Sequence, residues 1–427
     1  MGSFSIPLSG LSASQGQLQS VSNNLANIDT DGYKDQDLTF SDIFLQSGAT
    51  NGAGNPLQSG YGVGVSSTVS NFTEGSLNPT NVASNMGLAG NGFFITQGTG
   101  GLQDYTRAGD FTTNNAGQIT TPNGELLLGY PAVNGVVNTS AALQPLQVGS
   151  ATSPAVASTT MQITANLDAG AAVGDTASST LPVYDSLGTA HTLSVTYTMT
   201  APGTWSYAVT IPSTDLTPPG ANPTTTVASG TLNFNSSGKL TSTEATGAAA
   251  TTLPSAGIAL SIPPAGTTLA DGAAPLAVNW ALQTAGNSTI TQTATASGTS
   301  ATSTNGFASG TLSGYSVGPD GTIEGIFTSG ATAALGQVAV ASFANVQGLA
   351  DTGNNNYQPT AASGSAVVGL AGTGGRGTIA GGYVEESNVN IATEFAKLIV
   401  AQQAYSANAK SITTFNQISQ ATIAMLQ

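Results

Sequence analysis

Ile391-Ala-Thr-Glu-Phe395-Ala-Lys-Leu398-Ile-Val-Ala-Gln402-Gln-Ala-Tyr405-Ser-Ala-Asn-Ala409-Lys-Ser-Ile412 opens a stretch in which one side of a helix can be followed in the letters alone. Ile391, Phe395, Leu398, Gln402, Tyr405, Ala409, Ile412, Asn416, Ser419, Ile423 and Leu426 step by four and three throughout, and no Gly or Pro follows Gly382. Such steps place side chains on one stripe of an α-helix, the repeat of a coiled-coil seam. The spacing predicts a helix from about Asn388 to Gln427, capped by Ser387 or Asn388. At 1.5 Å per residue that is a rod of roughly 60 Å. The start of the chain carries a shorter counterpart. Leu8, Leu11, Leu18 and Leu25 share the spacing, with Val21 and Ile28 beside them and Gln15 and Ser22 interrupting the face. Lone helices with imperfect seams are marginal in water. Both ends are therefore expected to be mobile in the free chain and to gain order against neighbouring copies.

Between the ends the period changes to two. His191-Thr-Leu193-Ser-Val195-Thr-Tyr197-Thr-Met199 alternates, Ala-Pro-Gly turns, and Trp205, Tyr207, Val209 and Ile211 alternate again. This is a hairpin with one buried face and one wet face. Gly230 to Phe234 and Leu276, Val278 and Trp280 add strands, so residues 147–302 read as an all-β domain. Gly92 to Ile95, Tyr105 to Phe111, Thr322 to Phe327 and Gln337 to Phe343 read as a second β unit in two sequence halves. An insertion at an exposed turn of a host domain accounts for that order. The expected fold class is mainly β with a terminal α-helical coiled coil. Residues 1–30 and 385–427 make the helical domain, 31–70 a connecting segment, 71–146 and 303–384 the inner β-domain, and 147–302 the inserted outer β-domain.

The 427 residues carry 21 acids against 6 bases, a formal net charge of −15, and only 6% charged residues. Lys34, Arg107, Lys239, Arg376, Lys397 and Lys410 stand singly, which leaves no basic patch to meet nucleic acid or an anionic membrane. Low charge combined with 39% apolar residues suits short strands and tight turns rather than a disordered chain. Cysteine is absent, so no disulfide or thiolate–metal site is expected. The sequence Met1-Gly-Ser-Phe-Ser-Ile-Pro-Leu has neither the basic nor the apolar region of a secretory signal, and no stretch of about 18 apolar residues predicts a membrane span.

The chemistry on offer is thin. Gly314-Tyr-Ser316-Val-Gly318 has the letters of a nucleophile elbow, yet the only histidine, His191, lies upstream of it and reads as a surface or edge residue. Gly372-Thr-Gly374-Gly-Arg-Gly377 has the spacing of a dinucleotide fingerprint but neither a βαβ setting nor an adjoining helix, and reads as a flexible joint. Asp29-Thr-Asp31-Gly32, with Asp35 and Asp37 nearby, misses the twelve-residue calcium-loop pattern and reads as a turn. Glu385-Glu386 precede a helix, where the dipole favours acids. Neither an enzyme nor a cofactor or metal site is expected.

Several of these segments together resemble the axial rod and hook family of the bacterial flagellum, and within it the hook type. Leu8-Ser-Gly-Leu11 through Asn23-Asn24-Leu-Ala-Asn27-Ile-Asp-Thr30-Asp-Gly32-Tyr33-Lys34 looks like the family's N-terminal signature. Leu88 to Ile95 and Tyr105 to Phe111 look like its β-domain motifs, and Val384 to Val389 through Gln402 to Asn408 like its C-terminal signature. The block at 147–302, with Val183-Tyr-Asp-Ser-Leu-Gly188 before His191, is what a distal rod subunit is expected to lack. The resemblance implies a self-assembling structural subunit exported unfolded, without a cleaved signal, through the flagellar type III export gate. It also implies the distal rod protein, hook cap, hook–filament junction protein and hook-length control protein as partners, besides further copies of the chain. Phe40-Ser-Asp-Ile-Phe44 looks like the gate-recognition segment of such substrates. Leu8, Leu11, Leu18 and Leu25 are then expected to bury against Ile391, Phe395, Leu398, Tyr405, Ile412 and Leu426 of neighbours. Gly-rich joints near 48–64 and 372–382 are expected to absorb bending. The alternative readings are a distal rod-type subunit and a secreted adhesin, the latter with a row of exposed aromatics in the outer domain.

Overall fold

The computed structural model describes residues 4–50, 56–149, 151–246, 251–252, 257–284 and 286–425, with the side chains of 44–50, 56–59 and 252 outside that description. Two units divide the chain: Met1–Ser150 with Gly314–Gly325 and Ala333–Gln427, and Ala151–Ser313 with Ile326–Thr332. The second corresponds to the inserted block but runs further in sequence than 147–302, returning for a short segment after Gly325.

The first unit begins with helix α1, Ser5–Ala26, and ends with helix α2, Ile391–Met425. α2 starts later than the spacing predicts. Asn390, rather than Ser387 or Asn388, accepts the Thr393 N–H at the helix start, at 3.1 Å. Asn388 is held elsewhere: its Oδ1 accepts the Asp35 N–H at 2.8 Å and its Nδ2 donates to the Asn71 carbonyl at 2.7 Å.

The segment 31–70 is more than a connection. Strands β1, Gln36–Thr50, and β2, Pro56–Ser70, pair antiparallel as a long hairpin. It was not legible as strand because Gly60, Gly62 and Gly64 interrupt the β-branched positions of β2. Those glycines admit α1: the Ser9 hydroxyl accepts the Val63 N–H at 3.2 Å, and a side chain at Gly62 would overlap Ser9. The expected joint at 48–64 therefore falls within paired strands in its described part. The Gly-rich loop at 372–382 is also fastened. Gly377 N–H donates to the Asn91 carbonyl at 2.7 Å, Arg376 Nε caps the Leu370 carbonyl at 3.1 Å, and Thr378–Gly381 pairs with Met86–Ala89.

The sheet of this unit is buried on both faces. In Phe93–Gln97, Phe94 packs with Leu127, Val338 and Val340, while Phe93 and Ile95 pack with Leu128, Ala339, Ala341 and Tyr357 on the opposite side. That is why Gly-Phe-Phe-Ile and Val-Ala-Val-Ala read as continuous apolar runs without alternation. Ser316 lies in the strand Gly310–Val317, not at a strand-to-helix turn.

In the second unit, a five-stranded sheet and a six-stranded sheet share one core. The strands Ala190–Ala201 and Thr204–Pro212 alternate as the sequence predicts, with Leu193, Val195, Tyr197, Met199, Trp205, Tyr207, Val209 and Ile211 all buried. Trp280 sits at the centre, edge-on to Tyr207 with ring centroids 5.5 Å apart.

Candidate assembly surface

α1 and α2 pair within the chain. Phe4 meets Phe415, Gly10 meets Asn408, and Asn24 meets Glu394, so numbers rise along one helix as they fall along the other: the pair is antiparallel. Close approach needs small residues. A Cβ at Gly10 would stand 2.8 Å from Asn408 Nδ2, Ala13 and Ser14 are buried on α1, and Ala401 is buried on α2.

The apolar seam predicted from the sequence is not the seam inside the chain. Leu8 is 58% exposed and Phe395 47% exposed, and Ile391 and Tyr405 are also exposed. Leu11, Leu18, Leu25, Leu398 and Ile412 are half-buried, and Leu426 lies outside the described residues. The face that α2 buries is set one position away, on Glu394 and Ala401. Large apolar side chains at every seam position hold helix axes apart, whereas Gly, Ala and Asn let them approach and let polar partners meet. The ends are thus paired helices rather than loose segments, and Ile391, Phe395, Ile399, Val400 and Tyr405 are left on the outside.

A polar node closes the foot of the pair, and it contains the N-terminal motif residues. Asn24 is fully buried: its Oδ1 accepts from the Tyr33 hydroxyl and the Gln36 N–H, both at 3.0 Å, and its Nδ2 donates to Gln36 O at 3.0 Å and Glu394 Oε2 at 3.2 Å. Every hydrogen-bonding position of that amide is used. Asn23 Nδ2 donates to the Tyr33 oxygen at 3.1 Å, Asn27 Nδ2 to the Asn23 carbonyl at 2.9 Å, and the Thr30 hydroxyl to Asn27 Oδ1 at 3.2 Å. Burial, then the charges of Asp351, Asp35 and Glu394, push the Tyr33 phenol up to about 12, which keeps it a donor at any working pH. Gly32 has φ +69°, and a Cβ there would stand 2.5 Å from Ala108 N.

Beside the node lies a buried ion cluster. Lys34 Nζ is 2.5 Å from Glu385 Oε1 with neither side chain exposed, and Arg107 Nη1 is 3.6 Å from Glu385 Oε2. Gly75 N–H donates to Glu385 Oε1 at 2.8 Å, and Lys34 Nζ donates to the Thr73 carbonyl at 2.7 Å. Glu385 therefore serves as a buried counter-ion rather than as a dipole partner of α2. Bases that stand singly in the sequence converge on it in space.

Four family models cover most of the chain. Residues 6–34 match the flagella basal body rod protein model, 87–166 the flagellar hook protein FlgE/F/G D1 domain, 151–307 the flagellar basal body protein FlaE D2 domain, and 380–425 the flagellar basal body rod FlgEFG protein C-terminal. The flagellar hook protein FlgE of Escherichia coli is 31% identical over 97% of this chain and 98% of its own length. Those of Salmonella typhimurium and Borreliella burgdorferi are each 32% identical, over 97% of this chain and 98% and 97% of their own lengths. The chain belongs to the flagellar hook protein family. Hook proteins are structural subunits, and the two terminal models fall on α1 and α2, the pair whose outer face carries the exposed apolar residues.

The outer domain of this hook-family chain departs from expectation at its histidine. His191 is not at a surface or edge but almost fully buried, with Nε2 3.0 Å from Asp185 Oδ2 and Nδ1 3.0 Å from Asp215 Oδ2. Burial disfavours its charged form, but the hydrogen bonds and charges of Asp215 and Asp185 outweigh that and hold its pKa above the ordinary value. A His with a carboxylate at each nitrogen braces both of them when its two ring nitrogens carry protons. The adhesin alternative is also weakened here, because Tyr197, Trp205, Tyr207 and Trp280 are core residues, not an exposed row. Sequence reading gave Glu385 another role, did not pair Arg107 with it and did not single out Glu394, because the letters offer no periodic signal for such pairings. It also missed the small-residue face, for which Gly10, Ala13 and Ser14 opposite Ala401 and Asn408 were the available sign.

Proposed function

We propose that the paired terminal helices form the inner wall of the hook tube and that neighbouring copies of the chain cover Leu8, Ile391, Phe395 and Tyr405, together with Leu11, Leu18, Leu25, Leu398, Ile412 and, from the sequence spacing alone, Leu426. The observation that supports this reading is the row of large apolar side chains left exposed on helices whose inner faces are already filled. Each such side chain, fully covered, contributes roughly 1.5–3 kcal/mol, so a handful per neighbour is enough to hold copies together. Contacts between outer domains with few charged residues re-pair at small cost, which suits a tube that bends while transmitting torque.

On the same reading the chain leaves the cell through the flagellar type III export gate without a cleaved signal and is added beneath a hook cap. It meets the distal rod protein at the base and the hook–filament junction protein at the tip, with length set by the hook-length control protein. Phe40 is exposed on β1, as a recognition segment needs, and the Phe44 side chain lies outside the described residues. A distal rod-type subunit is disfavoured by the match of residues 151–307 to a D2 domain.

The test is Leu8→Asp and Phe395→Asp. Both sites are exposed, so the isolated variants keep an unfolding free energy within about 1 kcal/mol of the parent. Electron microscopy of cells carrying either variant as their only hook gene is expected to find no hooks or short stubs. Hooks of normal number and length on such cells overturn the assignment of the surface.

A further inference from the structure

Asp35 and Asp37 stand at the root of the hairpin and Glu394 in the first turn of α2, and one carboxylate oxygen from each lies within 4.8 Å of the others. A single ammonium faces them. Lys397 Nζ is 2.5 Å from Asp37 Oδ1 and 2.8 Å from Glu394 Oε1. It satisfies two of the three. Asp35, only 9% exposed, keeps its Oδ1 buried with no hydrogen-bond partner among the described residues. An unpaired carboxylate oxygen in that setting is costly unless a cation completes it.

Glu394 is oriented by Asn24, whose Nδ2 holds its other oxygen. Asp37 is exposed, which leaves a way in from solvent. Burial first, then the charges of Asp37 and Glu394, raise the Asp35 carboxyl above its ordinary range, against the opposing pull of Asn71 and Lys397. Three carboxylates against one ammonium leave two negative charges in excess.

We propose that Asp35, Asp37 and Glu394 form a calcium site at the foot of the terminal helices, the ion displacing the Lys397 ammonium. All the donors are carboxylate oxygens, which are hard ligands, and neither His nor Cys is among them, so softer metals are disfavoured. Magnesium demands a near-ideal octahedron at short distance, whereas calcium tolerates an irregular set completed by water. An ion there fastens the hairpin root to α2, a role separate from the apolar surface that neighbouring copies cover.

Calorimetric titration of calcium chloride into the full chain, at neutral pH and fixed ionic strength, tests this on the subunit alone. Its failure is therefore distinguishable from failure to assemble. A saturable event with a dissociation constant on the order of 10⁻⁴ to 10⁻³ M is expected, the range of extracellular calcium modules. Asp35→Asn is expected to weaken it by roughly tenfold or more, Lys397→Met to tighten it by removing the competing charge, and Glu324→Gln, an exposed acid elsewhere, to leave it unchanged. Magnesium chloride is expected to bind at least roughly tenfold more weakly. Absence of a saturable event in both the parent and Lys397→Met overturns the proposal. So does binding indifferent to Asp35→Asn, or binding lost instead in Asp271→Asn, which places the ion beside Asp185 and His191.

Discussion

Replacing Glu385 by Gln removes one buried charge and keeps the shape of the side chain. Lys34 Nζ, with no exposure to water, loses its partner at 2.5 Å, and Arg107 loses the only carboxylate that faces it among the described ion pairs. The Gly75 N–H keeps an oxygen acceptor at the same place, so the backbone contact survives. Removing one member of a buried pair typically costs about 3–5 kcal/mol, because the remaining charge stays desolvated. For a unit of this size that corresponds to a fall in melting temperature of roughly 6–20 °C. Lys34→Met costs less, since Glu385 retains Arg107 and the Gly75 N–H. The double variant Lys34→Met/Glu385→Gln is expected to recover about half or more of the single loss, because the stranded ammonium is gone. Differential scanning calorimetry of the full chain supplies the reading, with the outer domain, which has its own core, as internal reference. A Glu385→Gln variant within about 1 kcal/mol of the parent refutes the argument. So does a double variant no more stable than the single.

The outer domain is expected to respond to pH in a defined sense. The folded pKa of His191 lies above its unfolded value near 6.5, so its stabilisation is complete below that pH and is lost as pH rises through the folded value. Asp185 behaves oppositely: burial raises it, but Asp271, His191 and the Thr189 and Leu187 N–H groups hold it down to about 2. Its contribution is present above 3.8 and lost as pH falls toward 2. Melting temperatures of the outer-domain transition between pH 5 and 9 should decline on the alkaline side in the parent and lie flat there in His191→Gln; the same decline in both discounts the brace. Gly32→Ala should destabilise by about 1–3 kcal/mol or more, from positive φ and the clash with Ala108. Chemical denaturation that finds Gly32→Ala neutral removes that position from the node.

Much of the outer domain was legible because one face of its hairpin is wet and one dry, so His191 to Met199 and Trp205 to Ile211 carry the alternation themselves. The helices were legible in existence but not in facing. A four-and-three step identifies a stripe, yet it does not say whether the stripe turns toward the chain's own partner helix or toward a neighbour. Here Gly10, Ala13 and Ala401 took the inward face because small residues allow close approach. The hairpin 36–70 was not legible, since its glycines are placed to admit α1 rather than to favour a strand.

The order of letters alone determined a cysteine-free, weakly charged β-rich chain with an inserted block and a helix at each end, because periodicity and composition are local properties. Tertiary structure alone decided which polar residues are structural. His191 reads as a surface or edge residue until Asp185 and Asp215 close on it, and Lys34 reads as a base standing singly until Glu385 arrives from 351 positions away. A buried charge is tolerated only where a partner meets it, and distance along a chain carries no record of which residues will meet.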